Sequence, residues 1–150
     1  MTFDLYTYSD GGARGNPGPA ACGAVLADSA GKILHEEAKL LGETTNNVAE
    51  YNGMILALSL AQARGAKRLL CTSDSQLIVF QLQGKYRIKD LRLKGLAEKV
   101  QSLIKSFDHV TLQQVGRAHP MITRADAVLN KALDGAPKSA HRPTGQGRFF

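Results

Sequence analysis

Apolar and polar positions alternate from Phe3 to Ser9, with Phe3, Leu5 and Thr7 set against Asp4, Tyr6 and Tyr8. The segment is rich in aromatic and β-favouring residues and predicts a strand that ends at Asp10-Gly11-Gly12. Gly15-Asn16-Pro17-Gly18-Pro19 is dense turn chemistry. The apolar run Ala20 to Leu26 predicts a second strand, and Lys32 to Leu40 a third beyond the Asp28-Ser29-Ala30-Gly31 turn, so the chain opens as an antiparallel meander. From Asn47 to Arg64 the period becomes helical, with Tyr51, Met54, Ile55, Leu58 and Ala61 on one stripe and Gly65 as the stop. Lys67 to Ser73 then predicts a short strand, Ser75 to Gln83 a short helix and Leu91 to Lys105 a longer amphipathic one. His109 to Val115 follows as a strand and Ala125 to Leu133 as a last helix. The order βββαβααβα implies an α/β fold with a mixed sheet, right-handed crossovers between its parallel strands, and helices on both faces.

Composition narrows this picture. A chain of 150 residues with 43% hydrophobic content suits one domain, here residues 1–135. Ala136 to Phe150 carries Pro137, Pro143, Gly145, Gly147, Lys138, Arg142 and Arg148 and reads as a flexible basic tail, with Phe149-Phe150 able to dock on the body. The longest apolar stretch, Met54 to Ala61, is too short for a bilayer, and the N-terminus lacks a signal pattern; the expectation is a soluble, cytoplasmic protein without membrane partners. Cys22 and Cys71 lie in apolar runs and read as reduced core thiols rather than a disulfide or zinc pair. A net charge of +6 favours a polyanionic partner, although many basic proteins bind none.

Four carboxylates change the question from fold to chemistry. Asp10 is placed at the end of the first strand, Asp74 at the end of the fourth, Glu50 in the first turn of the long helix and Asp126 in the first turn of the last. Each has a local explanation: turn chemistry at Asp10-Gly11, a capping box over Asn47 to Glu50, an N-cap at Asp74, and a helix-dipole partner at Asp126. Glu50, however, shares its helix face with Met54, Ala57, Leu58 and Ala61, and Asp126 shares its face with Leu129 and Leu133. Carboxylates converging at a core edge repel by about 4 kcal/mol per pair at about 4 Å and an effective dielectric near 20, so they need protons or a cation. Oxygen ligands without His or thiolate suit Mg²⁺ or Mn²⁺.

The chain resembles the ribonuclease H family, type 1, across residues 3–134. The resemblance rests on four ordered blocks: Tyr8 to Pro19 (YSDGGARGNPGP), Thr44 to Tyr51 (TTNNVAEY), Thr72 to Gln76 (TSDSQ), and Arg124-Ala125-Asp126. It implies a five-stranded mixed sheet flanked by helices and assigns Asp10, Glu50, Asp74 and Asp126 to a site for two Mg²⁺ or Mn²⁺ ions. The implied activity is hydrolysis of the RNA strand of an RNA–DNA hybrid, leaving 5′-phosphate and 3′-hydroxyl ends, with the ions activating water and neutralising the departing oxygen. Asn16, Asn46, Asn47 and Gln76 match family positions that read 2′-hydroxyls in the hybrid's minor groove, and Thr45 matches a DNA-phosphate contact. The local alternatives are a turn Asn, helix-capping residues and an exposed Gln.

The loop Val115 to Arg124 departs from the family pattern: His119 is the one candidate for its assisting histidine, the spacing to Asp126 is unusual, and Met121-Ile122 is apolar. An exposed loop His is the alternative. The basic helix and loop of some members is missing, but Lys85, Arg87, Lys89, Arg92 and Lys94, with Tyr86, form a basic stretch suited either to a phosphate backbone or to simple solvation. Competing functions are a catalytically weak or inactive hybrid-binding module on the same fold and a DNA-directed nuclease of the integrase type. The four carboxylates oppose the first, and the short chain with its Asn and Gln set opposes the second. No protein partner is implied and a monomer is expected.

Overall fold

A computed structural model describes residues 2–137. Its elements are β1 (Leu5–Ala13), β2 (Gly18–Ala27), β3 (Ile33–Thr44), α1 (Asn46–Ala63), β4 (Arg68–Ser73), α2 (Gln76–Leu82), α3 (Leu91–Ile104), β5 (His109–Gln114) and α4 (Pro120–Gly135). The five strands form one sheet ordered β3-β2-β1-β4-β5. β1–β2 and β2–β3 are antiparallel, whereas β1–β4 and β4–β5 are parallel. Element order and sheet type are those expected from the sequence. The tail residues Lys138, Arg142, Arg148, Phe149 and Phe150 lie outside the described residues.

The period-two alternation sends the two faces of β1 to different helices. Leu5 joins the main core, with Leu26, Tyr51, Met54, Leu58, Leu69, Cys71, Ile78 and Val100, built by α1, α2 and α3 on one face. A smaller apolar seam of Ala21, Leu129 and Leu133 lies under α4 on the other. Glycines mark where helix backbones come down on the sheet. A Cβ on Gly11 would sit 2.2 Å from the Ala49 carbonyl of α1, and one on Gly23 would sit 2.5 Å from the Ala125 carbonyl of α4.

Three boundaries differ from expectation. β1 does not end at Asp10: Asp10 pairs with Gly23 and Gly11 with Cys22, so the Gly-Gly pair is strand, not turn. β3 likewise runs on to Thr44. α4 begins at Pro120 rather than Ala125, because proline is favoured in a first turn and Ile122 extends the buried stripe Ala125, Leu129, Leu133 by one step. Among the described residues no helix is long and apolar enough to cross a membrane.

Candidate active site

β1 and β4 run in parallel register up to Ser9↔Ser73, and the next residues are Asp10 and Asp74. The pairing therefore delivers two carboxylates side by side at one end of the sheet. Asp74 does not cap α2; the Ser75 hydroxyl does, accepting the Ile78 amide at 3.2 Å. The capping box at Asn47 to Glu50 is also absent. Thr45 is the N-cap of α1, accepting the Val48 amide at 3.3 Å, and no acidic residue lies in the first turn. Glu50 falls in the second turn and is left free for the cluster. Gly53, three residues further, receives the Asp10 carbonyl so closely that a Cβ would stand 2.6 Å from it.

Carboxylate oxygens of Asp10, Glu50 and Asp74 all lie within 4.8 Å of one another. Asp10 is 7% exposed, and its Oδ1 accepts the Gly11 amide at 2.9 Å. Glu50 Oε1 and Asp74 Oδ1 are buried without any hydrogen-bond partner. Burial, followed by the charge of Asp74, pushes the Asp10 carboxyl up to about 7. Burial and then the charges of Asp10 and Asp74 push Glu50 up to about 9. Asp74 is also raised by burial, against the lowering influence of Arg117, whose Nε lies 3.8 Å from its Oδ2. Orphaned buried oxygens on neighbouring carboxylates are costly unless a cation completes them. The donor set, oxygen throughout, fits a hard divalent ion.

Asp126 is exposed and stands in the second turn of α4, not the first, so the helix-dipole explanation does not apply to it. It lies outside the tight group of three but lines the same cleft of about 400 Å³, together with Asn46, Arg117, Ile122 and Thr123. His119 is no free loop residue. It is the N-cap of α4: its Nδ1 accepts the Met121 amide at 3.2 Å, and its ring stacks on Tyr8 with centroids 5.5 Å apart. With Nδ1 accepting that amide, Nε2 is the ring nitrogen left free to donate.

The polar residues matched to groove contacts are partly committed to the protein. Asn46 Oδ1 accepts the Ala13 amide at 2.8 Å, and Asn16 Oδ1 accepts the Asn46 amide at 3.0 Å. These two bonds pin the end of β1 and the 14–18 turn to the start of α1, and the NH₂ donors of these exposed side chains are what they offer a ligand. Asn47 and Gln76 are exposed in the first turns of α1 and α2. Sequence reasoning missed Arg117, Thr123 and the glycines beneath the site. Gly53 was detectable in principle, because a glycine inside a helix costs about 1 kcal/mol relative to alanine and calls for a packing reason.

A family profile described as "Reverse transcriptase-like" matches residues 8–131. The bifunctional protein Rv2228c of Mycobacterium tuberculosis is 41% identical over 134 residues, which are 88% of this chain and 36% of the relative. The chain therefore spans about a third of the length of that relative, and it covers 99% of the solved N-terminal RNase H domain of the same protein at a TM-score of 0.85. RNase H1 of Halobacterium salinarum superposes with a TM-score of 0.85 at 40% identity, over 88% of this chain and 98% of that one. LC11-RNase H1, solved in complex with an RNA/DNA hybrid, gives a TM-score of 0.81 at 39% identity, over 87% of this chain and 96% of that one. Agreement in motif order, strand order and extent over nearly the whole folded body shows that the chain belongs to the ribonuclease H family, alongside its type 1 members.

Proposed function

We propose that the protein is a metal-dependent endoribonuclease that hydrolyses the RNA strand of RNA–DNA hybrids, as a cytoplasmic monomer, leaving 5′-phosphate and 3′-hydroxyl ends. The observation that carries this reading is the trio of carboxylates within 4.8 Å, one buried and two half-buried, the latter two each with a buried oxygen that the protein does not satisfy. Asp10, Glu50, Asp74 and Asp126 are the proposed ligands of two Mg²⁺ or Mn²⁺ ions. When bound, such ions lower the pKa of water and neutralise charge on the departing oxygen.

The remaining roles belong to the chain's own groups. Gly11 orients Asp10 through its amide, and burial keeps Asp10 and Glu50 in a state that releases protons when a cation arrives. Asn46 lines the cleft, and Asn16, Asn47 and Gln76 are proposed to join it in offering neutral donors that suit the 2′-hydroxyls of a wide, shallow minor groove. Thr45 is proposed to contact a DNA-strand phosphate. His119 is proposed to donate through Nε2 rather than to collect a proton at the nitrogen that caps α4. The relative LC11-RNase H1 bound to a hybrid supports the choice of substrate.

Incubation with an end-labelled RNA–DNA hybrid, and with matched RNA and DNA duplexes, in Mg²⁺, Mn²⁺ or chelator tests the proposal. Cleavage of the hybrid RNA alone, dependent on the divalent ion, is the expected result. Binding without cleavage under every metal condition would instead identify an inactive hybrid-binding module.

A further inference from the structure

We propose that Arg14 is a positioning residue: it ties the 14–18 turn to α4 and thereby sets the place of Asp126 in the site. The inference rests on the reading of Asp126 as a metal ligand. Its starting point is the difference between the carboxylates. Asp10, Glu50 and Asp74 are held by the sheet and by the main core, whereas Asp126 is exposed on a helix that seats a single buried stripe, Ile122, Ala125, Leu129 and Leu133, on the other face of the sheet. That stripe seats the helix along one line of contact, and polar ties at its two ends fix its roll and the place of its exposed residues.

One such tie is the Glu36 carboxylate with the Arg124 guanidinium, near the start of the helix. The other is Arg14. Its Nη2 donates to Asp134 Oδ1 at 2.8 Å, to Asn130 Oδ1 at 3.1 Å and to the Asn130 carbonyl at 3.4 Å. Asn130 Nδ2 in turn donates to the Asp126 carbonyl at 2.9 Å. The other end of the tie is equally fixed. The Arg14 amide closes the turn on the Pro19 carbonyl at 2.8 Å, and Asn16 in the same turn is bonded to the start of α1. One five-residue turn therefore links the helix that carries Glu50 to the helix that carries Asp126, from opposite faces of the sheet.

The Arg14–Asp134 pair is well exposed, at 44% and 69%, and exposed pairs contribute little to stability. Its role is geometric, which makes it separable from folding. Kinetics on a hybrid substrate are compared for the wild type, Arg14→Met, Asn130→Ala and the double variant, with melting curves and hybrid binding in chelator measured alongside. Arg14→Met is expected to lower kcat by about 10-fold, inside the roughly 100-fold penalty for an ångström-scale misplacement, while hybrid affinity stays within about twofold. The double variant is expected to be no worse than the poorer single one, because both substitutions interrupt one path. Unchanged kcat, a parallel loss of hybrid affinity, or losses that multiply would overturn the assignment. Amide hydrogen exchange across residues 124–130, measured without substrate, separates this from the functional reading. Were the wild type to cleave no hybrid, faster exchange there in Arg14→Met would still support the tie, and unchanged exchange would reject it.

Discussion

Without a metal ion, burial and mutual repulsion lift Asp10 and Glu50 to about 7 and about 9, from ordinary values of 3.8 and 4.5, so at neutral pH Glu50 holds a proton and Asp10 is divided between its two forms. The sign for stability follows from linkage: the native state binds these protons more tightly than the unfolded chain does. Their contribution is fully present below the unfolded values and is lost as pH rises toward the two native ones. In chelator, the melting temperature should therefore fall as pH is raised from about 5 to about 9, and Mg²⁺ should restore more of it at the alkaline end. A flat profile that ignores Mg²⁺ would remove the carboxylates as its cause. Asp10→Asn takes away one charge from the group, so it should raise metal-free stability at pH 8 by about 1–2 kcal/mol while lowering cleavage at least about 100-fold. Melting and cleavage assays on one preparation check both halves. Legibility at this scale was uneven. The three carboxylates near the core stood out because each had a motif around it, but their local explanations failed only when Ser75 and Thr45 were seen to hold the caps. Cap choice between adjacent polar residues depends on backbone angles that composition does not encode.

At the scale of elements, the missed start of α4 is the instructive case. Val115 to Arg124 looked like an irregular loop because Met121 and Ile122 are apolar, and that is what a helix needs on its sheet-facing side. Pro120 at the first position and His119 as a ring-nitrogen cap lie outside the usual Ser, Thr, Asp and Asn signal. Similarly, Gly11-Gly12 reads as a turn in sequence, yet it continues β1, and α1 fills the space that the missing side chain of Gly11 leaves. The same reasoning bears on Gly23. Adding a methyl group 2.5 Å from the Ala125 carbonyl forces α4 outward, so Gly23→Ala should cost about 1–3 kcal/mol. It should also depress cleavage beyond its effect on folding, because Asp126 is the residue after Ala125. Activity measured well below the variant's melting temperature separates the two effects; full activity there would show that α4 seating does not govern the site.

For the molecule as a whole, the order βββαβααβα and the mixed sheet were readable from periodicity, since the helices bury one stripe each and the strands stand out as short β-favouring runs between turns. What periodicity could not supply was which face each helix covers, a matter of handedness and of glycine placement. Charge belongs to this scale too. Tyr86, Arg87, Lys94 and Lys105 line a second concavity of about 850 Å³ beside α3, and the chain carries a net +6. If these cations meet phosphates, Arg87→Gln with Lys94→Gln should reduce the slope of log affinity against log salt by about 1.8, at about 0.9 per lost contact. Titrations of hybrid in chelator at several salt concentrations measure it, and an unchanged slope would assign both side chains to solvent.

The last parallel pair, Ser9↔Ser73, has a topological meaning. Beyond it the chain leaving β1 turns toward β2, and the chain leaving β4 departs through α2 and α3 toward β5 on the opposite side. Two strands whose continuations diverge leave a crevice at their carboxyl ends, which is where open α/β sheets receive ligands. The winding of the backbone therefore chooses the address of the site before any side chain is specified. The carboxylates decide only what chemistry is done there.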